Sequence, residues 1–201
     1  MLAVANPIGD MLAEVLTGYA VARTEPKRDH PTQRRIRIDI PRALRLVLAD
    51  RAEPLRVRGS AGGQSWASVP WIGVFDPTAT TSAERGTYVV FLLNYRDEVA
   101  WLSLVHGARG LLRERGTTEG LAELRRRTAS IRARLSDLSD GLDPGPIDLG
   151  SDKPLPRSYE VAHALGRRFR LEDLRDAPIL EMLHRLLDLH ATLRQRVGDA
   201  A

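Results

Sequence analysis

"VPWIGVFDPTATTSAERGTYVVFLLNYRDEVAWLSLV", residues 69–105, decides the fold. Three apolar runs stand in it: VPWIGVFD, TYVVFLLN and VAWLSLV. Each is short and rich in β-branched and aromatic residues, which predicts buried strands rather than helices. The polar stretch PTATTSAERG joins the first two runs, and YRDE makes a hairpin-like turn between the last two. The middle of the chain therefore reads as a mostly antiparallel sheet.

Toward the N-terminus, LRVRGS alternates Leu55 and Val57 with Arg56 and Arg58, a further short strand. RIRIDI alternates Ile36, Ile38 and Ile40 with polar residues and reads as a half-buried strand, with Pro41 opening a helix through about Asp50. RTEPKRDHPTQRR before it reads as a loop, and residues 8–22 repeat apolar positions at helical spacing. Toward the C-terminus, "VHGARGLLRERG" reads as a glycine-bounded loop, and Leu121–Leu138 as an amphipathic helix ended by Gly141. Residues 141–158 hold four prolines and three glycines, a long loop with room for a short strand at IDL. Ser158 is placed to cap a helix over YEVAHALGRR, and a last helix spans about Ala177–Val197. The predicted class is α+β: one domain, residues 1–201, with a central mostly antiparallel or mixed sheet flanked by helices.

Composition narrows the function. The 201 residues contain no cysteine, which excludes disulfides, thiolate metal sites and a cysteine nucleophile. No apolar run approaches the roughly 20 residues of a membrane span, and the N-terminus lacks a basic leader, so a soluble cytoplasmic protein is expected. Arginine supplies 28 of the 30 basic residues, and the basic excess lies in the first two-thirds of the chain. Arginine forks onto phosphates and guanine edges, so this distribution suits a polyanion. The Gly-rich stretch GSAGG lacks the Gly-Lys-Ser/Thr of a nucleotide-binding P-loop. The five histidines show no metal-ligand spacing, and no nuclease signature can be read. No catalytic residue, metal or cofactor is expected; the chain reads as a recognition module.

The run GSAGGQSWASVPWIGVFDPTATTSAERGTYVVFLLNYRDEVAWLSLVHG, residues 59–107, resembles the N-terminal DNA-recognition domain of the McrB-like family. The Gly-Ser-rich loop, the Trp-Ala, the Val-Pro-Trp-Ile strand, the Thr-Ser loop and the Leu-Ser-Leu strand follow in the family's order. RSYEVAHALGRRF and the final Leu-rich helix fit the same layout. The resemblance implies a module of a type IV, modification-dependent restriction system that binds modified double-stranded DNA, with a nuclease in a fused domain or partner. One branch of the family flips methylated cytosine into a pocket; the sulfur-binding branch reads phosphorothioate DNA.

Under that resemblance the site residues fall into groups. Lys27, Arg28, His30, Arg34 and Arg35 are expected to grip phosphates. The glycines of residues 59–63 would bring the backbone close to DNA, with Ser60, Gln64 and Ser65 donating hydrogen bonds and Trp66 anchoring the loop or touching a sugar. The alternative is a tight bend that uses the glycines for positive φ alone. Arg109, between Gly107 and Gly110, and His106 are candidates for base edges in the major groove. Trp71, Tyr88 and Trp101 lie in strand patterns and are expected in the core, leaving Trp66 as the one exposed ring. Sulfur needs an apolar dent beside cations. Pro156, Tyr159 and Ala162 would wall it, Ser158 would open a helix with free N–H groups, and Arg157 would clamp the backbone. The phosphorothioate reading is therefore preferred, with methylcytosine flipping as the alternative. A protein-interaction or regulatory domain with a basic surface is the remaining class.

Overall fold

In the computed structural model, residues 6–51 and 54–198 are described. The elements run α1 (Pro7–Ala22), α2 (Pro31–Arg34), a π-helical turn (Arg35–Asp39), α3 (Ile40–Val47), β1 (Arg56–Ser60), β2 (Trp71–Phe75), β3 (Thr87–Asn94), β4 (Val99–His106), α4 (Arg109–Arg134), α5 (Pro154–Ala162), β5 (His163–Arg170), a 3-10 turn (Leu171–Asp173) and α6 (Ile179–Gly198). The five strands pair antiparallel in the order β1-β2-β3-β4-β5. This is the expected α+β architecture, and the three apolar runs form β2, β3 and β4.

Alternation along the strands splits the core in two. Val57, Ile72, Val74, Val89, Phe91, Leu93, Leu102 and Leu104 face α1, α3 and α6. Tyr88, Val90, Leu92, Trp101 and Val105 face the start of α4 and α5. Register places Ser60, Trp71, Leu92 and Trp101 in one row on this second face, with Arg58, Gly73 and Val90 in the next. The row carrying Ser60 and Trp71 reaches past α5, and there the sheet is left open.

Four expectations are corrected. RIRIDI is helical, not a strand. Pro31 opens α2 at its first position, His30 caps it by accepting from the Thr32 N–H, and the chain runs on through the π-turn into α3. Ile36, Ile40 and Leu44 are fully buried at helical spacing, while Ile38 is 52% exposed. Pro41 has no N–H to give a helix, and the chain passes it on the wider turn in which the Ile40 N–H reaches the Arg35 carbonyl. The stretch around Arg109 is the first turn of α4; the helix starts at Arg109, breaks direction at Gly116 (φ 73°) and stops at Leu135, before Gly141. HALGRRFR is the edge strand β5, because pairing with β4 buries Ala164, Leu165 and Phe169. IDL forms no strand; residues 141–153 pack as a loop through Leu142, Ile147 and Leu149, tied to β5 by an Asp143–Gly166 bridge.

Candidate nucleic-acid interface

On the open part of the second sheet face lies a cleft of about 730 Å³. β1 supplies Arg58 and Ser60, β2 supplies Trp71, the glycine-rich loop supplies Trp66, the loop before β3 supplies Ser82 and Glu84, α4 supplies Arg109, and α5 supplies Pro156 and Tyr159 with Lys153 at its cap. Three of the ten aromatic side chains thus converge from three separate segments. Gly73 lies between Trp71 and Phe75, and a Cβ there would sit 2.6 Å from the Phe75 ring. That residue keeps the floor flat beside Trp71.

The glycine-rich loop is fastened from behind. Lys27 Nζ donates to the carbonyls of Gly62 (2.6 Å), Gly63 (2.7 Å) and Ser65 (3.2 Å), and lies over the Trp66 ring. Trp66 Nε1 donates to the Glu25 carbonyl, and its ring meets Tyr19 and His30 edge to face. The Tyr19 hydroxyl donates to the Ala67 carbonyl. His30 accepts at Nδ1 from the backbone, so its Nε2 carries the proton given to the Glu25 carboxylate (2.9 Å). Gly59 packs against the Ile36 carbonyl, and Gly62 adopts φ 99°. Part of the glycine content therefore serves packing and turn geometry, while Gly63 stands in open space at the mouth.

The loop before β3 is seated with equal economy. Gly107 and Gly110 admit the backbone of Glu84 and Arg85, which a Cβ at Gly107 would strike at 2.3–2.6 Å. The Gly110 N–H donates to the Glu84 carbonyl, and the Tyr88 hydroxyl to the Ala83 carbonyl. Glu84 is then held between Arg109 (3.6 Å) and Arg113 (3.1 Å). Arg109 is 64% exposed and lines the cleft from the helix start.

On α5 the expected dent is dismantled in part. The helix opens at Pro154 with Lys153 as its cap, so Ser158 is in its middle, fully buried, with its hydroxyl donating to the Leu155 carbonyl. Pro154 and Pro156 have no N–H, which leaves the helix start poor in anion donors. Ala162 is buried in the core, and Arg157 turns to Asp152, away from the cleft. Pro156 and Tyr159 do line the cleft. Burial raises the pKa of Tyr159. Burial likewise raises Tyr88, so both phenols stay neutral, and the two rings pack in one buried cluster.

Of the residues expected to touch DNA, Ser60, Trp66, Arg109, Pro156 and Tyr159 share this cleft. Gln64 is exposed on the loop above it. Lys27 is 9% exposed with its donors engaged, and His30 is occupied in the cap. Arg35 pairs with Glu14 (2.6 Å) and Asp39, and Arg34 with Asp39 (3.6 Å), beside a different depression; Arg28 is exposed. His106 is buried at the far end of β4, hydrogen-bonded to the Gly107 carbonyl and to Arg127, and burial lowers its pKa. It belongs to a second depression of about 550 Å³ between α4 and α6. Sequence reasoning missed Arg58, Glu84 and Lys153, and assigned Trp71 to the core. The alternation of LRVRGS was the available signal, since Arg58 and Trp71 face the same side once β1 and β2 pair.

Among the described residues no cluster of histidine and carboxylate side chains could hold a metal, and no helix is long and apolar enough to cross a membrane. The family model described as MrcB-like, N-terminal domain, matches residues 14–195, and the chain belongs to that family of DNA-recognition modules. Membership points to modified DNA as the partner. No curated protein and no solved structure matches the chain.

Proposed function

We propose that the domain reads modified double-stranded DNA by receiving an extruded modified base in the cleft between Trp66, Trp71 and Tyr159. The observation that carries this reading is the convergence of those three rings inside a ring of cations, Arg58, Arg109 and Lys153. Taking a base out of the stack costs a few kcal/mol, and each base–aromatic contact returns about 1–3 kcal/mol. Two rings therefore roughly offset extrusion, and the added group on the base decides whether binding is net favourable. The cations hold the flanking phosphates and carry no sequence information. Cleavage in a modification-dependent restriction system would fall to a fused or partner nuclease.

A phosphorothioate remains the second reading, favoured by one feature: Pro154, Leu155 and Pro156 form an apolar lip beside Lys153 at the same cleft. Sulfur is larger and less hydrated than oxygen, and such a lip suits it. Titration of the domain against matched duplexes separates the two readings. One pair differs by a cytosine methyl, the other by one non-bridging atom, and 2-aminopurine opposite the site reports extrusion. Preference for the methylated duplex with a rise in 2-aminopurine emission supports the base reading. Preference for sulfur with no rise supports the second. Equal binding to all four duplexes leaves the interaction-domain reading in place of both.

A further inference from the structure

We propose that Lys27 is a positioning residue that sets the preference for modified DNA by latching the glycine-rich loop, without touching DNA. The inference rests on the proposed reading of the cleft. An ammonium has three N–H donors, and here three carbonyls of one loop, Gly62, Gly63 and Ser65, take all of them. Nothing is left to give a phosphate. The side chain is also nearly inaccessible, and burial together with the nearby Arg37 lowers its pKa from the usual lysine value. Those costs are offset by three charge-assisted hydrogen bonds to carbonyls that converge on the ammonium.

The choice of residue is informative. Arginine outnumbers lysine 28 to 2 in this chain, yet position 27 is lysine. Three carbonyls converging on a point suit a compact tetrahedral ammonium; a planar guanidinium presents its donors as a fork and sits further from Cα. A phosphate contact would show the reverse preference, since a guanidinium serves a phosphate at least as well. The latch then acts on recognition through position. The same loop carries Trp66 from the ring contacts with Tyr19 and His30 out to the wall of the cleft. Freeing the carbonyls frees that wall, while Arg58, Arg109 and Lys153 keep their grip on the backbone.

The test compares wild type, Lys27→Arg and Lys27→Met on duplexes that differ only in the modification wild type prefers, across a salt series. Expected in both variants is a fall of about ten-fold in the preference ratio, with affinity for the unmodified duplex and the salt slope unchanged. Hydrogen exchange over residues 59–67 should quicken in both variants. Full preference retained by Lys27→Arg, or a slope reduced by about 0.9 in Lys27→Met, would show a phosphate contact and overturn the proposal. Unchanged exchange in that loop would overturn it as well. A lysine serving stability alone would lower the melting temperature of the variants and leave the ratio untouched, a further overturning result. Failure of the cleft reading is visible separately, as absence of any preference in the wild type.

Discussion

Acidification from about pH 7.5 to about pH 5 should cost the fold about 2 kcal/mol through His163 alone. This ring begins β5 directly after the cleft helix α5 and is fully buried. Its Nε2 donates to the Asp143 carbonyl (3.0 Å), so Nδ1 accepts from the Ser103 hydroxyl (3.0 Å). Burial, with Arg132 nearby, pushes its pKa down to about 4. In the unfolded chain the ring titrates near 6.5. Between those values the unfolded state binds the proton and the folded state does not, so stability rises with pH and is lost as pH falls from about 6.5 toward 4. At about pH 5 the unfolded ring is almost wholly protonated and the folded one about one-tenth so, which gives the 2 kcal/mol; the ceiling below pH 4 is about 3 kcal/mol. Burial lowers His106 and His190 as well, so both add in the same direction. Asp76 and Asp137 are held below the carboxylate range, and their contributions are lost only at lower pH. Urea melts at about pH 7.5, 6 and 5 measure the effect, with His163→Gln as the control that cannot titrate. The variant starts less stable and should lose less on acidification, its slope against pH smaller by up to one proton, about 1.4 kcal/mol per pH unit. Parallel curves for wild type and variant across this window would refute the assignment of a buried neutral ring.

The cleft supplies further tests. Trp66→Ala and Tyr159→Ala should each weaken binding to the preferred duplex by about 1–3 kcal/mol and leave weak binding to unmodified DNA, measured by anisotropy titration. Arg58→Ala, Arg109→Ala and Lys153→Ala should each flatten the log–log salt dependence by about 0.9, whereas Arg34→Ala and Arg35→Ala should not move it, because those two side chains line a different depression from the cleft. Gly107→Ala should destabilise the fold by about 1–3 kcal/mol in urea melts and disturb Glu84 in the cleft, since its methyl meets the Arg85 backbone.

The strands of the middle of the chain were legible because their apolar runs are short and bounded by turn residues. RIRIDI misled because Ile36 and Ile40 satisfy a period of two and a helical i, i+4 spacing equally. The deciding facts were Pro31 at a helix start and a histidine cap, which is a weak sequence signal. HALGRRF misled because a strand at a sheet edge is chosen by its partner; pairing with β4, about 60 positions earlier, outweighs the local helical preference of Ala and Leu. Ser158 is a good capping residue by type, but Pro154 and Pro156 upstream fix the helix start five residues earlier, with Lys153 as the cap. Within the cleft, Ser60, Trp66, Arg109, Pro156 and Tyr159 were legible one by one. That they share a cavity was not, because β1 and α5 meet only through the sheet.

The two prolines also bear on what the cleft can recognise. A helix start is a ready anion site when its first N–H groups are free. Here only Leu155 keeps an N–H between the cap and Arg157, and the Arg157 N–H is already given to the Lys153 carbonyl (3.2 Å). The positive end of α5 therefore contributes little directed hydrogen bonding to a phosphate or to its sulfur analogue. What α5 does present to the cleft is Tyr159, its ring packed in the buried cluster beneath and lining the same cleft as the two tryptophans. Held rings recognise a flat π-face, and exposed arginines and a lysine recognise charge at the rim. The division of labour is thus flat aromatic surface within and cations at the rim, which favours a base inside the cleft and the backbone across its mouth.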